Sequence, residues 1–201
     1  PEYNLWILNY TKKTQSKKFW DIYTTSCRGM IINETGSIIG RCMKKFKNYE
    51  EHDSSEIDMT QDYDVFEKMD GSLIILFYYE SRMSWIVASR GSFISEQSIG
   101  AKKMLNDSIY DNLNKNCTYV FEYIAPENRI VVDYGNRREL VLLTVIETST
   151  GFELFYDDIV SQYSKFFTVV KRFDVKINNL NELKKLEEDN KEGFVVKFLN
   201  G

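Results

Sequence analysis

Histidine is almost missing from this 201-residue chain; His52 is the only one. A Cys/His zinc site is thereby close to excluded, and a Ser-His-Asp triad would need His52, which lies in a polar stretch, as its base. Cysteine is scarce too. Cys27, Cys42 and Cys117 are widely spaced with no C-x-x-C pair, which reads as reduced thiols in a cytosol-like compartment rather than a disulfide framework. Two prolines and ten glycines argue against linker-rich architecture. The longest apolar run, residues 73–79, is far too short to span a bilayer, and no signal-peptide pattern follows Pro1. Positive charge in bulk is also lacking. The net charge is −4 and the isoelectric point is near 5.2, so a nucleic-acid partner would have to be held by a local patch.

Apolar residues make up 43% of the chain and aromatics 14%, enough for one domain with a sizeable core. Hydrophobic periodicity reads mostly as short strands: 29–33 and 37–41 around a Glu34-Thr35-Gly36 turn, 72–79 and 84–88 as a second hairpin, then 118–124, 129–133, 139–147 and 193–198. Ala101, Met104, Leu105, Ile109 and Leu113 recur at helical spacing, with Ser95 as N-cap. Leu180, Leu183 and Leu186 share one face of a second predicted helix, with Asn179 and Glu182 placed as its capping pair. Residues 52–62 read as a polar connection. The expected fold is α+β, antiparallel β-sheets with flanking helices packed outside. Two basic stretches stand out: Arg41, Lys44, Lys45 and Lys47 with Phe46 and Tyr49 interleaved, and Lys12, Lys13, Lys17 and Lys18. A solvated face is the plain account of both; for the first stretch a ligand accounts for it as well.

The chemistry centres on Glu67-Lys68-Met69-Asp70-Gly71-Ser72, which runs straight into an apolar strand. A lysine attacks only as the neutral amine, on the order of one part in a thousand near pH 7 at its ordinary pKa. Burial and neighbouring cations raise that fraction. Gly71 allows close approach of the backbone to a ligand, or a sharp turn. Taken alone, K-x-D-G arises by chance in roughly a few percent of chains this long, and a polar turn before a strand explains it.

Its company changes the balance. Ser89-Arg90-Gly91-Ser92 follows one hairpin later, Glu122 of Phe121-Glu122-Tyr123 comes 54 residues after Lys68, and Glu192 of Glu192-Gly193-Phe194-Val195-Val196-Lys197 comes 70 residues after Glu122. A glutamate inside an apolar strand is unfavourable unless paired or functional. Upstream stand Cys27-Arg28-Gly29 and Lys45-Phe46-Lys47-Asn48. In this order the segments resemble the motifs of the covalent nucleotidyltransferase superfamily of DNA ligases, RNA ligases and capping enzymes. The upstream segments, with Asn128-Arg129-Ile130-Val131, resemble its phage RNA ligase and fungal/plant tRNA ligase branch. That branch usually has a second Phe where Lys47 stands.

The resemblance implies a nucleotidyltransferase (ATP-grasp-like) ligase core. Lys68 would be the covalent nucleophile that takes AMP from ATP and passes it to an RNA 5′-phosphate, after which a 3′-hydroxyl seals the ends. Arg28, Lys45, Phe46, Asp70, Gly71, Arg90, Glu122, Glu192 and Lys197 would surround the nucleotide. Asp70, Glu122 and Glu192 would form the acidic shell of Mg2+, or of Mn2+ in its place. The whole of 1–201 would be one adenylyltransferase domain stopping before the family's final K-x-K motif. ATP and RNA ends are the expected partners, with no membrane, for a cytoplasmic monomer in RNA repair or tRNA splicing. A DNA ligase, a GTP-using capping enzyme and a non-catalytic nucleotide- or RNA-binding module remain alternatives.

Overall fold

The computed structural model describes residues 3–52, 57–177, 182–183 and 189–199. Among them, eleven strands form three sheets. The first is antiparallel, in the order β1 (Leu5–Asn9), β2 (Arg28–Asn33), β3 (Ile38–Gly40). Between β1 and β2 lie two short helices, α1 (Lys12–Lys17) and α2 (Ile22–Ser26). β4 (Tyr63–Glu67) then leads through residues 68–71 into the central sheet of β5 (Ser72–Tyr79), β6 (Ser84–Ser89), β7 (Cys117–Ile124), β8 (Glu139–Glu147) and β9 (Thr168–Val169), ordered β6-β5-β7-β8-β9. Only its β8–β9 pair is parallel. β10 (Arg172–Phe173) and β11 (Phe194–Phe198) flank β4 in a third, antiparallel sheet.

β5 explains its own apolar run. Ile74, Ile75, Leu76 and Phe77 are all fully buried, because the strand is covered on both faces. Ile74 and Leu76 pack with Tyr119, Phe121 and Leu142 beneath α3 (Glu96–Lys102) and the later helices. Ile75 and Phe77 pack against Leu5 and Ile31 of the first sheet. The chain therefore crosses from one sheet to another at Lys68, with the core on either side of the strand that follows.

Both hairpins and the strands at 118–124, 139–147 and 193–198 lie where the periodicity puts them, within a residue or so at their ends. The single helix expected after Ser95 is instead two. Ser95 caps α3 as read, but Asn106 accepts the Ile109 N–H and starts α4 (Asp107–Tyr110), so the chain unwinds at 104–105. Residues 129–133 are not a strand, for a reason given below. The helix expected around Leu180 and Leu186 lies outside the described residues except for Glu182 and Leu183. α5 (Tyr156–Tyr163) completes the helices and buries Ile159 and Tyr163 against the central sheet's lower face. None of the helices among the described residues is long and apolar enough to cross a membrane.

Candidate active site

Lys68 is held by the strand pairing itself. Phe194 pairs with Glu67, so the residues just before β11 come level with the end of β4. The Lys68 N–H donates to the Gly193 carbonyl at 3.0 Å, and Nζ meets Glu192 Oε1 at 2.6 Å. Two motifs 124 positions apart thus converge on one contact. Both side chains are about a third exposed, so the pair sits at the lip of the fold. While Nζ is engaged with this carboxylate it is not free to attack.

Glu122 enters from β7, opposite Leu73 of β5. Gly71 N–H donates to its carboxylate. Some of its surface still reaches solvent, yet protein surrounds it on most sides. Burial, foremost, pushes its pKa up to about 8; Glu192 and Asp70 push the same way, and Arg28 and the Gly71 N–H oppose them. Gly71 is required here by packing: a Cβ would lie 2.5 Å from the Tyr123 carbonyl oxygen and 3.1 Å from Glu122 Cγ. The close approach that Gly71 permits is to β7.

Asp70 is 6% exposed and faces a loop. Its Oδ2 accepts the N–H groups of Val131 (2.7 Å) and Val132 (2.6 Å), and its own N–H donates to the Tyr134 hydroxyl at 3.0 Å. The amides of 131–132 point to a side chain instead of a neighbouring strand, which is why the expected strand 129–133 does not form. Asn128 ties the same loop down, accepting from Ser72 Oγ and donating to the Tyr123 carbonyl, each at 2.9 Å. A cavity of about 210 Å³ lies in this loop, lined in part by Asn128, Arg129 and Tyr134.

Arg28 and Lys45 supply the positive side. The Arg28 guanidinium lies 5.9 Å from the centre of the Phe46 ring and donates to Cys42 Sγ at 3.7 Å. Burial pushes the buried Cys42 thiol up to about 11, which leaves it an inert packing residue. Lys45 Nζ contacts the Phe46 carbonyl, approaches Glu51 at 3.8 Å and sits 5.6 Å from the Trp20 ring centre. Its pKa is held below the usual lysine value, first by burial and then by the nearby charges of Arg28 and Lys68, with Glu51 opposing. Arg28, Lys45, Lys68, Asp70, Glu122 and Glu192 therefore form one electrostatic neighbourhood. Arg41, from the same basic stretch, is turned away to the carbonyls of Thr148 and Ser149.

Arg90 closes another side, its guanidinium 5.9 Å from the Tyr10 ring centre and 3.4 Å from the Tyr10 hydroxyl. Asn9, which no sequence pattern flagged, accepts the Gly29 N–H at 3.0 Å and donates to the Arg90 carbonyl at 2.9 Å. That clamp fixes the Arg28 segment against the Arg90 turn. Gly29 has φ +77°, and a Cβ there would lie 2.7 Å from Ile75 Cδ1. Lys197 donates to Glu153 Oε2 at 2.6 Å, and Thr144 Oγ1 donates to the same oxygen. Glu153 is also new, and it had no signature beyond a single acid after a glycine turn.

No group of three or more His, Cys, Asp or Glu side chains among the described residues is arranged to hold a metal ion directly. The donors nonetheless suit magnesium, which keeps several waters and takes one or two carboxylates together with substrate phosphates. Glu122 and Glu192 repel one another, and a cation between them and the phosphates would relieve that repulsion. Asp70 offers less, since one oxygen already accepts two amides.

An α+β core that brings a strand-end lysine to a glutamate just before a distant strand, beside a second, partly buried glutamate and two basic groups, fits the nucleotidyltransferase superfamily. Within it, the chain belongs to the RNA ligase family, in its phage-like branch: residues 26–201 match that family. A protein of Autographa californica nuclear polyhedrosis virus, provisionally described as a bifunctional polynucleotide kinase/RNA ligase, is 26% identical over 97% of this chain and 31% of its own length. A Thermovibrio ammonificans protein provisionally described as an RNA ligase is 27% identical over 85% of this chain and 46% of its own. A Naegleria gruberi RNA ligase with pyrophosphate shares the fold over 70% of this chain and 47% of its own, at TM-score 0.55 and 17% identity. A variant of that ligase with ATP and manganese gives TM-score 0.54 at 21% identity over the same shares. This chain thus spans half or less of each of these relatives.

Proposed function

We propose that this chain is the nucleotide-transferring core of an ATP-dependent RNA ligase, with Lys68 as the adenylate acceptor. The observation that carries the reading is the convergence of Lys68, Glu192, Glu122, Arg28 and Lys45 from five separate segments. ATP and a divalent cation accompany the Naegleria ligase, and the family is one of RNA ligases.

The residues divide the work as follows. Lys68 Nζ must shed a proton and leave its carboxylate partner, and Glu192 Oε1 at 2.6 Å is the acceptor in reach. The neutral amine attacks the α-phosphorus of ATP; an N–P bond forms, the bond to the bridging oxygen breaks, and pyrophosphate leaves. An RNA 5′-phosphate oxygen next takes the AMP and returns Lys68. A 3′-hydroxyl then attacks that 5′-phosphate and expels AMP. Arg28, Lys45 and Arg90 neutralise phosphate oxygens, the arginines through a planar fork and Lys45 as a point charge. Phe46 lies against Arg28 where the nucleotide would meet it. The pKa of Glu122 is raised to about 8 by burial and by Glu192, and a bound cation would offset both and bring it to its carboxylate form. Glu192 and Glu122 would hold magnesium, which would supply charge neutralisation at the phosphates. Asp70 and Gly71 position this lip.

The setting we infer is RNA repair or tRNA splicing in the cytoplasm, by a monomer. Incubation with α-labelled ATP and Mg2+ tests the function: label on Lys68 is expected, and label that survives Lys68→Ala contradicts the assignment.

A further inference from the structure

We propose that residues 12–23 form a docking surface for single-stranded RNA leading to the nucleotide pocket, an inference that rests on the ligase reading. Lys12, Lys13, Lys17 and Lys18 are all exposed, in a protein whose overall charge is −4. Directly beside them Phe19, Ile22 and Tyr23 are 61%, 67% and 78% exposed. Neither α1 nor α2 buries a single residue. Side-chain caps hold them instead: Thr11 accepts the Thr14 N–H, and Asp21 accepts those of Tyr23 and Thr24. Core packing therefore gives no account of rings and lysines presented together to water. Phosphates and bases do, since single-strand binders combine cations that follow the backbone with rings on which bases stack.

Two further observations favour RNA as the occupant. Within residues 12–23 Asp21 is the single acid against four lysines, so the segment is net positive. The patch is also continuous with the pocket. Trp20 lies within it, in edge contact with Tyr10 at 5.0 Å and under Lys45, while Tyr10 carries Arg90. The Thr25 carbonyl accepts the Lys45 N–H at 2.8 Å. A strand whose end is joined at Lys68 would pass from Lys45 and Arg90 onto this face. The segment precedes the family match at residue 26, so the catalytic motifs do not include it.

The test is fluorescence anisotropy of the full chain with a labelled 12-nucleotide single-stranded RNA over a salt series. Unaltered chain is compared with the quadruple variant K12Q/K13Q/K17Q/K18Q and with the double variant F19A/Y23A. The lysine variant should lower the slope of log affinity against log salt by about 3, and each lost ring should weaken binding about tenfold. The circular dichroism spectrum and Lys68 labelling from ATP should be unchanged, because no altered residue packs in the core. Unchanged RNA affinity and slope in both variants overturn the docking surface and leave the ligase reading standing. So does binding to phosphatidylserine vesicles with no binding to RNA. A chain that takes no label from ATP, yet loses RNA affinity in the variants, overturns the ligase reading and supports the docking surface.

Discussion

The ion pair of Lys68 with Glu192 and the raised pKa of Glu122 are two sides of one arrangement. Carboxylates are gathered at one lip, and burial together with the charge of Glu192 raises the pKa of Glu122. This has a thermodynamic signature. The pKa of Glu122 is raised from an ordinary 4.5 to about 8, so folding takes up a proton between those values. Stability from this group is present below about pH 4.5 and is lost as pH rises through about 8. Glu122→Gln should therefore gain stability relative to the parent as pH rises across that window. Melting temperatures of both proteins from pH 5 to 9 check it, and a constant difference would contradict the assignment. Gly71→Ala should destabilise by about 1–3 kcal/mol, because the new Cβ would meet the Tyr123 carbonyl at 2.5 Å. An unchanged denaturation midpoint would show that β5 and β7 can separate at little cost.

At the scale of elements, the loop 128–134 is the part that sequence patterns misplace. Ile130, Val131 and Val132 look like a strand because they are β-branched and apolar, and nothing local shows that Asp70, some sixty residues earlier, takes two of their amides. Asp70→Asn should cost about 1–3 kcal/mol, since a charged acceptor of two N–H groups becomes neutral. Amide exchange at Val131 and Val132 should accelerate, and unaltered exchange there would detach Asp70 from the loop. The break between α3 and α4 was half legible. The apolar spacing runs straight through 104–105, and only Asn106, read as an N-cap, would have divided it. β5, by contrast, could be read to the residue, because a strand buried on both faces must be apolar throughout and is bounded by the turns at Gly71 and Glu80.

At the scale of the molecule, the order of motifs was legible and their meeting was not. Lys68 and Glu192 stand out at the margins of apolar strands and Glu122 inside one, but their adjacency follows from β4 pairing with β11 and β5 pairing with β7. Such long-range pairings leave no mark in local periodicity. Asn9 and Glu153 escaped for a related reason, each being a single polar residue whose partner lies across a sheet. The lysines of residues 12–18 were legible as a basic stretch, but that Phe19, Ile22 and Tyr23 lie exposed beside them was not.

The central claim is that Lys68 accepts AMP. Intact-mass spectrometry of the chain after incubation with ATP and Mg2+, followed by peptide mapping, tests it most directly. The expected result is one AMP per chain, located on Lys68 and absent from Lys68→Ala. A chain that binds ATP but never gains the adduct, or that carries it on another residue, would contradict the account.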